Sequence, residues 1–457
     1  MLDCPDSCLF SEGSMVFRFP AVLPAFFFTV LVFTVPLAAA DEWPQFQGPL
    51  GNGHSTAKDL PLTWSETENV TWKVAVPGGG HSSPVISGND IWVTVSVEKK
   101  LTADQQKERL SKVKNSRGLE IAGGLSLRAS CFDRDSGKLR HSIELFQVVA
   151  PEPIHALNSY ASPSPILENG KLFCHFGTYG TCCVDTESGQ IQWRNTEHHV
   201  DHQNGPGASP SLWQNVLILN FDGIDQQYVA GLDKRTGETL WTTRRSGKMP
   251  DRAEFRKTYS TATVLEDPRG AQVISPGADW VYSYDPASGR ELWRASYGQL
   301  GFSTVPRPLI WKNLVILTTS FIRPRILAVR FDGSGDVSGT HMAWIKDGQF
   351  PQKPSMLLVG DHMYFISDKG IGMCLAAESG REVWKERIGG AFSASPLYAD
   401  GRMYFFDQSG KTTVLAPGNE YRVLAENQLE GSFMASPAAA GKALFLRTGT
   451  HLYRIEN

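Results

Sequence analysis

The sequence lacks the excess of positive charge that is typical of nucleic-acid-binding proteins. Its 457 residues contain 44 Lys and Arg against 47 Asp and Glu, which gives a formal net charge of −3 at pH 7. A chain of this balance offers no strong basic field to a polyanion. We therefore expect neither DNA nor RNA among its partners.

Cysteine is scarce as well. The chain has seven cysteines, and the five that follow Cys4 and Cys8 are too few, and odd in number, for a disulfide framework. One cross-strand disulfide between Cys174 and Cys183 stays open, because a short hairpin separates them. No Cys-x-x-Cys-His sequence occurs, so a covalently attached haem is not expected.

Long apolar runs are missing beyond residue 40, and nothing there approaches the roughly 20 uncharged residues needed to span a bilayer. Near the start, Arg18 precedes an uncharged run over residues 21–37, which ends in three alanines. This order is typical of a cleaved export signal. We predict that residues 1–40 are a signal peptide, with Met15 as a candidate true start. An uncleaved membrane anchor is the alternative. The mature chain, residues 41–457, is predicted to be a periplasmic or extracellular monomer without a transmembrane segment.

What the sequence does contain is a repeat. An apolar strand pattern leads to an Asp-x-x-Ser/Thr-Gly turn, and a Trp follows the glycine by four residues. The clear turns start at Asp185, Asp233, Asp285 and Ala376. Helical periodicity is confined to one charged insertion, residues 98–128. Each repeat has room for about four strands, which is the content of a propeller blade.

Counting these repeats predicts an all-β fold, a single eight-bladed β-propeller with four-stranded blades. Eight inner strands begin near Ser83, Ser162, Ser209, Ser260, Ser303, Ser355, Ser395 and Ser436. The last repeat ends without its outer strand, whereas residues 69–74 form an unassigned strand near the N-terminus. We expect this N-terminal strand to complete the last blade, which closes the ring and leaves no unpaired edge there.

The tryptophan that ends a repeat is predicted to dock between neighbouring sheets, close to the glycine of a turn. Replacing such a residue by Ala should cost about 3–5 kcal/mol. Cys131, Cys183 and Cys374 each stand two residues before the turn, in a position that other repeats fill with small residues. We interpret them as packing residues. The predicted docking residues are Trp72, Trp193, Trp241, Trp293, Trp344 and Trp384.

These in-phase repeats resemble the pyrroloquinoline-quinone (PQQ)-like repeat of the quinoprotein alcohol dehydrogenase-like superfamily. The resemblance runs from about Trp64 to Asn457. The opening Trp43-Pro44-Gln45-Phe46-Gln47-Gly48-Pro49 is similar to exported members of unassigned activity. The superfamily also includes the propeller subunit of the outer-membrane assembly machinery. The resemblance implies a propeller, and it does not by itself imply bound quinone, because fold alone does not carry function.

Under a quinoprotein hypothesis, the resemblance implies PQQ, a Ca²⁺ held by carboxylate and amide oxygens, an Asp base and a vicinal disulfide. Cys182-Cys183 invites that comparison, but the pair falls within a strand, in the packing position. The densest group of metal-ligand types is His198-His199-Val200-Asp201-His202. One loop of this kind needs further ligands from elsewhere, so we expect a polar loop. Neither a cofactor nor a metal is predicted.

The loop before each inner strand, here called the leading loop, should gather around the propeller axis at one face. A concave mouth lined by a few polar groups is the default place for a ligand. The alternative is that these side chains only fill the channel. We predict an exported, non-catalytic binding or scaffold propeller for a small polar molecule or a protein, with a PQQ- and calcium-dependent dehydrogenase as the alternative. The predicted polar lining is His81, Tyr160, His202, Asn204, Lys257, Tyr259 and Lys353.

Overall fold

Eight antiparallel sheets of at least four strands make up the computed structural model, which describes residues 42–319 and 321–457. The eight-bladed β-propeller is thereby confirmed. The predictions on residues 1–40 fall outside the described residues.

Each blade runs from an inner to an outer strand. In blades 1 to 4 the strands are Val85–Ser87, Asp90–Lys99, Gly124–Asp133 and Leu139–Val148; Ile166–Glu168, Lys171–His175, Thr181–Asp185 and Ile191–Asn195; Ser211–Trp213, Val216–Asp222, Gln227–Asp233 and Thr239–Arg244; Thr263–Leu265, Gln272–Pro276, Trp280–Tyr284 and Glu291–Ser296. In blades 5 to 8 they are Leu309–Trp311, Leu314–Thr318, Arg325–Arg330 and Met342–Asp347; Leu357–Val359, His362–Ile366, Ile371–Ala376 and Glu382–Arg387; Leu397–Ala399, Arg402–Phe406, Lys411–Leu415 and Val423–Gln428; Ala438–Ala440, Ala443–Arg447, His451–Ile455 and Val70–Ala75.

Of the elements that the structure describes, three short strands, one helix and two 3₁₀ turns lie outside this scheme. Gly335–Asp336 adds a fifth, parallel strand to blade 4. Leu119–Glu120 pairs with Ile154–His155 in a separate two-stranded ladder. Helix Ala103–Ser111 begins with a capping box at Thr102, and the 3₁₀ turns Gly177–Tyr179 and Ala253–Phe255 complete the described elements.

The N-terminal strand closes the ring, as the sequence predicts. Val70–Ala75 pairs antiparallel with His451–Ile455, and Trp72 lies opposite Arg454. At the same junction, Arg447 of blade 8 donates from Nη1 to the carbonyl oxygen and the hydroxyl of Ser82 in blade 1, at 3.0 and 2.7 Å. Blade 8 is therefore held to blade 1 by a side-chain contact, while its own sheet is completed by the N-terminal strand.

Local hydrogen bonds and one residue in the left-handed conformation explain why the Asp-x-x-Ser/Thr-Gly sequence recurs in the turns. In blade 2, Asp185 Oδ1 accepts hydrogen bonds from the backbone N–H and the hydroxyl of Ser188, at 2.8 and 2.7 Å. Gly189 follows with φ of 70°, a conformation that favours glycine. Asp285 and Ser288 repeat this arrangement in blade 4.

Small residues face the docking position across the outer strand pair. Cys183 lies opposite Trp193, Gly231 opposite Trp241, and Cys374 opposite Trp384. A Cβ atom on Gly231 would come within 2.3 Å of the Trp241 ring. The aromatic ring therefore occupies the space above this position, which limits the side chain there to a small one.

The docking rings also reach the next blade. Trp193 Nε1 donates to the carbonyl oxygen of Lys234 at 2.9 Å, and its ring covers Gly237 in the turn of blade 3. Equivalent hydrogen bonds to the next blade are made by Trp72, Trp241 and Trp384. Trp293 instead donates to Gln272 of its own blade, and the Trp344 ring covers Gly380. The core consequently lies between successive sheets.

The N-terminal segment, residues 43–57, crosses the channel. Trp43 forms an antiparallel β-bridge with Ile86 in blade 1, and the Pro44 carbonyl oxygen accepts a hydrogen bond from the N–H of Leu167 in blade 2. Farther along, Ser55 donates from its N–H to the Tyr398 carbonyl oxygen of blade 7, at 2.9 Å. On the side of the ring opposite blade 1, Arg307 of the blade 5 leading loop donates to the Phe46 carbonyl oxygen at 3.1 Å, so the segment lies across the axis.

Candidate functional site

The leading-loop face contains a cavity of about 380 Å³. Its walls come from the leading loops of blades 1 and 2, from the blade 1 insertion and from Gly449 of blade 8. The loop of this insertion is shorter than residues 98–128, because Glu98 still pairs with Leu125 and Lys99 with Gly124 in the blade 1 ladder. Two predicted lining residues, His81 and Tyr160, border the cavity.

The Tyr160 hydroxyl is already engaged in two hydrogen bonds, and the His81 ring is desolvated. The buried Tyr160 hydroxyl donates to the Glu152 carbonyl oxygen at 2.9 Å and accepts the Ala122 N–H at 3.2 Å. Burial raises the pKa of Tyr160 to about 12. Desolvation, with a smaller contribution from Arg447, lowers the pKa of His81 to about 4, so its ring is neutral near pH 7. Tyr160 mainly fixes the insertion to the blade 2 loop.

The fold brings His202, Asn204 and Tyr259 together. The hydrogen bonds that hold them involve backbone groups. The buried Tyr259 hydroxyl donates to the His202 carbonyl oxygen at 2.9 Å, and burial raises the Tyr259 pKa. The Asn204 carbonyl oxygen accepts from Asn158 Nδ2 at 2.8 Å. His202 Nε2 accepts the Thr178 N–H at 3.2 Å, and desolvation lowers the His202 pKa to about 4. These groups join three loops into one rigid unit.

Lys257 and Lys353 supply positive charge near the axis. Lys353 Nζ lies 3.4 Å from Asp368 Oδ2. Lys257 is only 5% exposed, and its ammonium donates to Gln203 Oε1. Desolvation lowers the Lys257 pKa to about 8, although Glu254 and Asp201 oppose the shift.

His155 is a further residue of this mouth that sequence reasoning missed. Its pKa is lowered by desolvation and then by the positive charges of Lys353 and Lys257. Loops of blades 2, 4 and 6 thus come close enough to interact electrostatically. The predicted lining included only Tyr160 from the leading loop of blade 2, although His155 belongs to the same loop. The position of His155 depends on its β-ladder pairing with Leu119, which no local sequence pattern predicts.

The histidine-rich loop does not converge on a metal position. His198 Nε2 lies 3.0 Å from the Thr239 hydroxyl, and the ring stacks on Phe221. His199 contacts Thr178 and lies 3.7 Å from Glu152. Within residues 42–319 and 321–457 there is no group of three or more His, Cys, Asp or Glu side chains that could hold a metal ion.

The cysteines do not fit the vicinal disulfide of a quinoprotein site either. Cys182 and Cys183 are consecutive residues of a regular strand, so their thiols point to opposite faces. Cys182 packs in the core towards blade 1 and Cys183 in the core towards blade 3. The Cys174–Cys183 pairing is excluded as well, because the 3₁₀ turn sets a register in which Cys174 faces Cys182. All five described cysteines are free.

In the described part of the chain, none of the helices has the length and apolarity required to cross a membrane.

Structural comparison finds propellers with very different sequences. BamB from Moraxella catarrhalis aligns with a TM-score of 0.51 at 12% identity, over 79% of this chain and 98% of that one. A europium-containing methanol dehydrogenase gives 0.61 at 11% identity, over 90% of each chain. The quinohemoprotein alcohol dehydrogenase from Comamonas testosteroni gives 0.59 at 10% identity, over 91% and 80%. At these identities the likeness concerns the fold.

Sequence comparison is more specific. A search of curated protein sequences finds no match. The family model described as outer membrane protein assembly factor BamB matches residues 117–265 and 277–432, about two thirds of the chain. The PQQ-like repeat inferred from the sequence agrees with this match. The chain therefore belongs to the BamB-like family of PQQ-type propeller proteins.

Proposed function

We propose that this protein is an exported, non-catalytic binding propeller that engages its partner through the leading-loop face. The observation that carries the proposal is the construction of that face. Hydrogen bonds join the loops of blades 1, 2, 3 and 4 there, and the same face contains a cavity of about 380 Å³ and the buried Lys257 ammonium. Rigid loops that combine a concavity with convergent polar groups suit recognition.

A protein partner is the favoured occupant. The family description names an outer membrane protein assembly factor, which favours a protein over a small molecule as the partner. The export part of the proposal comes from residues 1–40, whose order of charge, apolar run and small residues matches a signal peptide. The opposite end of the channel is crossed by residues 43–57, so the leading-loop face is the better candidate for an axial partner.

The dehydrogenase alternative is disfavoured by the arrangement of two cysteines. Cys182 and Cys183 point to opposite faces of their strand. This pair therefore does not fit the vicinal disulfide that the resemblance implies for a PQQ enzyme.

The test is native mass spectrometry of the full chain purified from its own source, followed by hydrogen exchange with and without the retained partner. We expect a retained protein subunit that protects residues 153–160 and 200–206 from exchange. Protection restricted to the outer strands would contradict the leading-loop face. A retained quinone with calcium, together with alcohol oxidation coupled to an artificial electron acceptor, would instead establish the dehydrogenase.

A further inference from the structure

A cluster of aromatic rings borders Lys257 on the leading-loop face. Phe302 stacks on Phe255 with ring centroids 4.5 Å apart, and Phe321 lies 6.5 Å from Phe302. Lys257 Nζ lies 6.0 Å from the centre of the Phe302 ring. We call Phe255, Phe302, Phe321, Ile322 and Lys257 the aromatic–lysine patch. It combines residues of blades 4 and 5.

The outer edge of this patch is apolar and open to solvent. Phe321 is 66% exposed and Ile322 is 51% exposed, although both are large apolar side chains of the kind that proteins usually bury. Phe321 contacts the buried Phe302 ring and extends the aromatic cluster to the solvent. Exposed apolar groups that continue into a partly buried aromatic cluster are characteristic of a protein-binding surface.

The inner edge of the patch holds a buried cation whose hydrogen-bond partner is neutral. A lysine this deeply buried is normally paired with a carboxylate. Among the described residues Lys257 forms no ion pair, and its ammonium donates to the Gln203 amide oxygen. An incoming carboxylate would exchange this neutral acceptor for a charged one, which strengthens the hydrogen bond.

The surrounding loop has an excess of positive charge. Residues 244–257 contain Arg244, Arg245, Lys248, Arg252, Arg256 and Lys257 against Asp251 and Glu254. Arg245 is neutralised by Asp222, and Arg252 by Glu254. Arg256 donates to the carbonyl oxygens of Pro250 and Asp251 and forms no ion pair with any described residue. The loop itself therefore carries a net positive charge, which favours an acidic partner.

We propose that the aromatic–lysine patch is the docking surface for a protein partner whose binding segment carries an acidic side chain beside aromatic or branched aliphatic ones. The carboxylate pairs with Lys257, and the apolar side chains pack on Phe321 and Ile322. This inference rests on the proposed function, because it selects one part of the leading-loop face and the chemistry that occupies it.

The test uses phage-displayed random dodecapeptides selected against the full mature chain, followed by fluorescence anisotropy with the selected synthetic peptides. We expect selected sequences to combine Asp or Glu with Phe, Tyr, Leu or Ile. Phe321→Ser and Lys257→Met should each weaken binding at least tenfold. Leu50→Ser is the matched control, since Leu50 is 79% exposed on the N-terminal segment that crosses the channel.

A second comparison separates the lysine from general packing. Replacing the acidic residue of a selected peptide by its amide should weaken binding to the unsubstituted protein, but not to Lys257→Met. Circular dichroism melting of both variants checks that they fold.

Three results would overturn the docking proposal: no selected peptide, peptides without an acidic residue, or binding that is insensitive to both substitutions. If insensitive peptides still protect residues 153–160 and 200–206 from exchange, the patch is wrong while the leading-loop face stands. If their binding depends on Leu50 instead, the proposed face is wrong as well.

Discussion

Arg245 and Asp222 form a bidentate ion pair in the interior between blades 3 and 4. Arg245 Nε and Nη2 donate to the two carboxylate oxygens of Asp222 at 3.0 and 2.6 Å, and the side chains are 0% and 1% exposed. Two hydroxyl groups add further hydrogen bonds. Arg245 Nη2 also donates to the Ser275 hydroxyl, and the Thr258 hydroxyl donates to the Asp222 carboxylate. The pair fixes the base of the loop that carries Lys257.

Removing one partner of this pair should be more damaging than removing both. Asp222→Leu leaves a buried guanidinium without a counter-ion and should lower the free energy of unfolding by about 3–5 kcal/mol. Asp222→Leu combined with Arg245→Met leaves no buried charge and should cost clearly less. Urea unfolding of the two variants measures the difference. Equal losses would mean that packing of Arg245 on Tyr282, with the guanidinium 5.0 Å from the ring centre, outweighs the charge.

Ring closure by the N-terminal strand predicts that its removal exposes a sheet edge. A chain without residues 41–76 lacks the partner of His451–Ile455, so we expect it to aggregate and to melt at a lower temperature. Size-exclusion chromatography and thermal melting provide the measurement. A shorter deletion of residues 41–56 is the control, because it keeps Val70–Ala75. A monomeric longer deletion with unchanged melting would contradict closure through this strand.

Much of the fold could be predicted because the repeated residues act locally. The Asp185 and Ser188 hydrogen bonds and the left-handed Gly189 form a turn that needs no distant contact. The repeat period then fixes the number of blades. The sequence left a Cys174–Cys183 disulfide open. The structure excludes it, because the 3₁₀ turn between the two strands sets a register in which Cys174 faces Cys182, one residue away from Cys183 and on the opposite face. Such a register leaves no periodic signal.

The site was less predictable because its loops are positioned by long-range contacts. Counting in phase identified Lys257 and Tyr259 as residues of the leading-loop face. It did not show that the Tyr259 hydroxyl bonds to a backbone carbonyl, or that Gln203 is the acceptor for Lys257. Phe321 was missed because it belongs to the hairpin between the second and third strands of blade 5. Its place beside Phe302 follows from blade packing.

The small residue opposite a docking tryptophan provides a stability test. Gly231→Ala would place a Cβ within 2.3 Å of Trp241, so the ring must move, at a cost of about 1–3 kcal/mol. Cys183→Ala is the matched control in blade 2, because it reduces the side chain opposite Trp193. It should change the free energy of unfolding by less. Chemical unfolding monitored by tryptophan fluorescence tests both. A neutral Gly231→Ala would show that Trp241 has an alternative position.

Two buried histidines predict that the protein loses stability in mild acid. Burial lowers the pKa of His175 to about 3 and that of His202 to about 4, whereas an exposed histidine titrates near pH 6.5. Their contribution to stability is fully present above pH 6.5 and is lost as the pH falls towards 4, since the unfolded chain then binds more protons. Together they add up to about 2–3 kcal/mol per pH unit to the slope of the unfolding free energy against pH.

The carboxyl group of Glu152 has the opposite effect on stability. Desolvation raises its pKa to about 7, so stability from its protonated form is lost as the pH rises from 4.5 to 7.

Substitution isolates the histidine contribution. His202→Gln keeps an acceptor for the Thr178 N–H but removes the titrating ring, so the slope of unfolding free energy between pH 4.5 and 6 should fall by about 1 kcal/mol per pH unit. His199→Gln is the matched control, because the side chain of His199 lies in the same loop and is 67% exposed. Urea unfolding at half-unit pH intervals provides the measurement. An unaltered slope in His202→Gln would show that the His202 ring reaches solvent and titrates as it does in the unfolded chain.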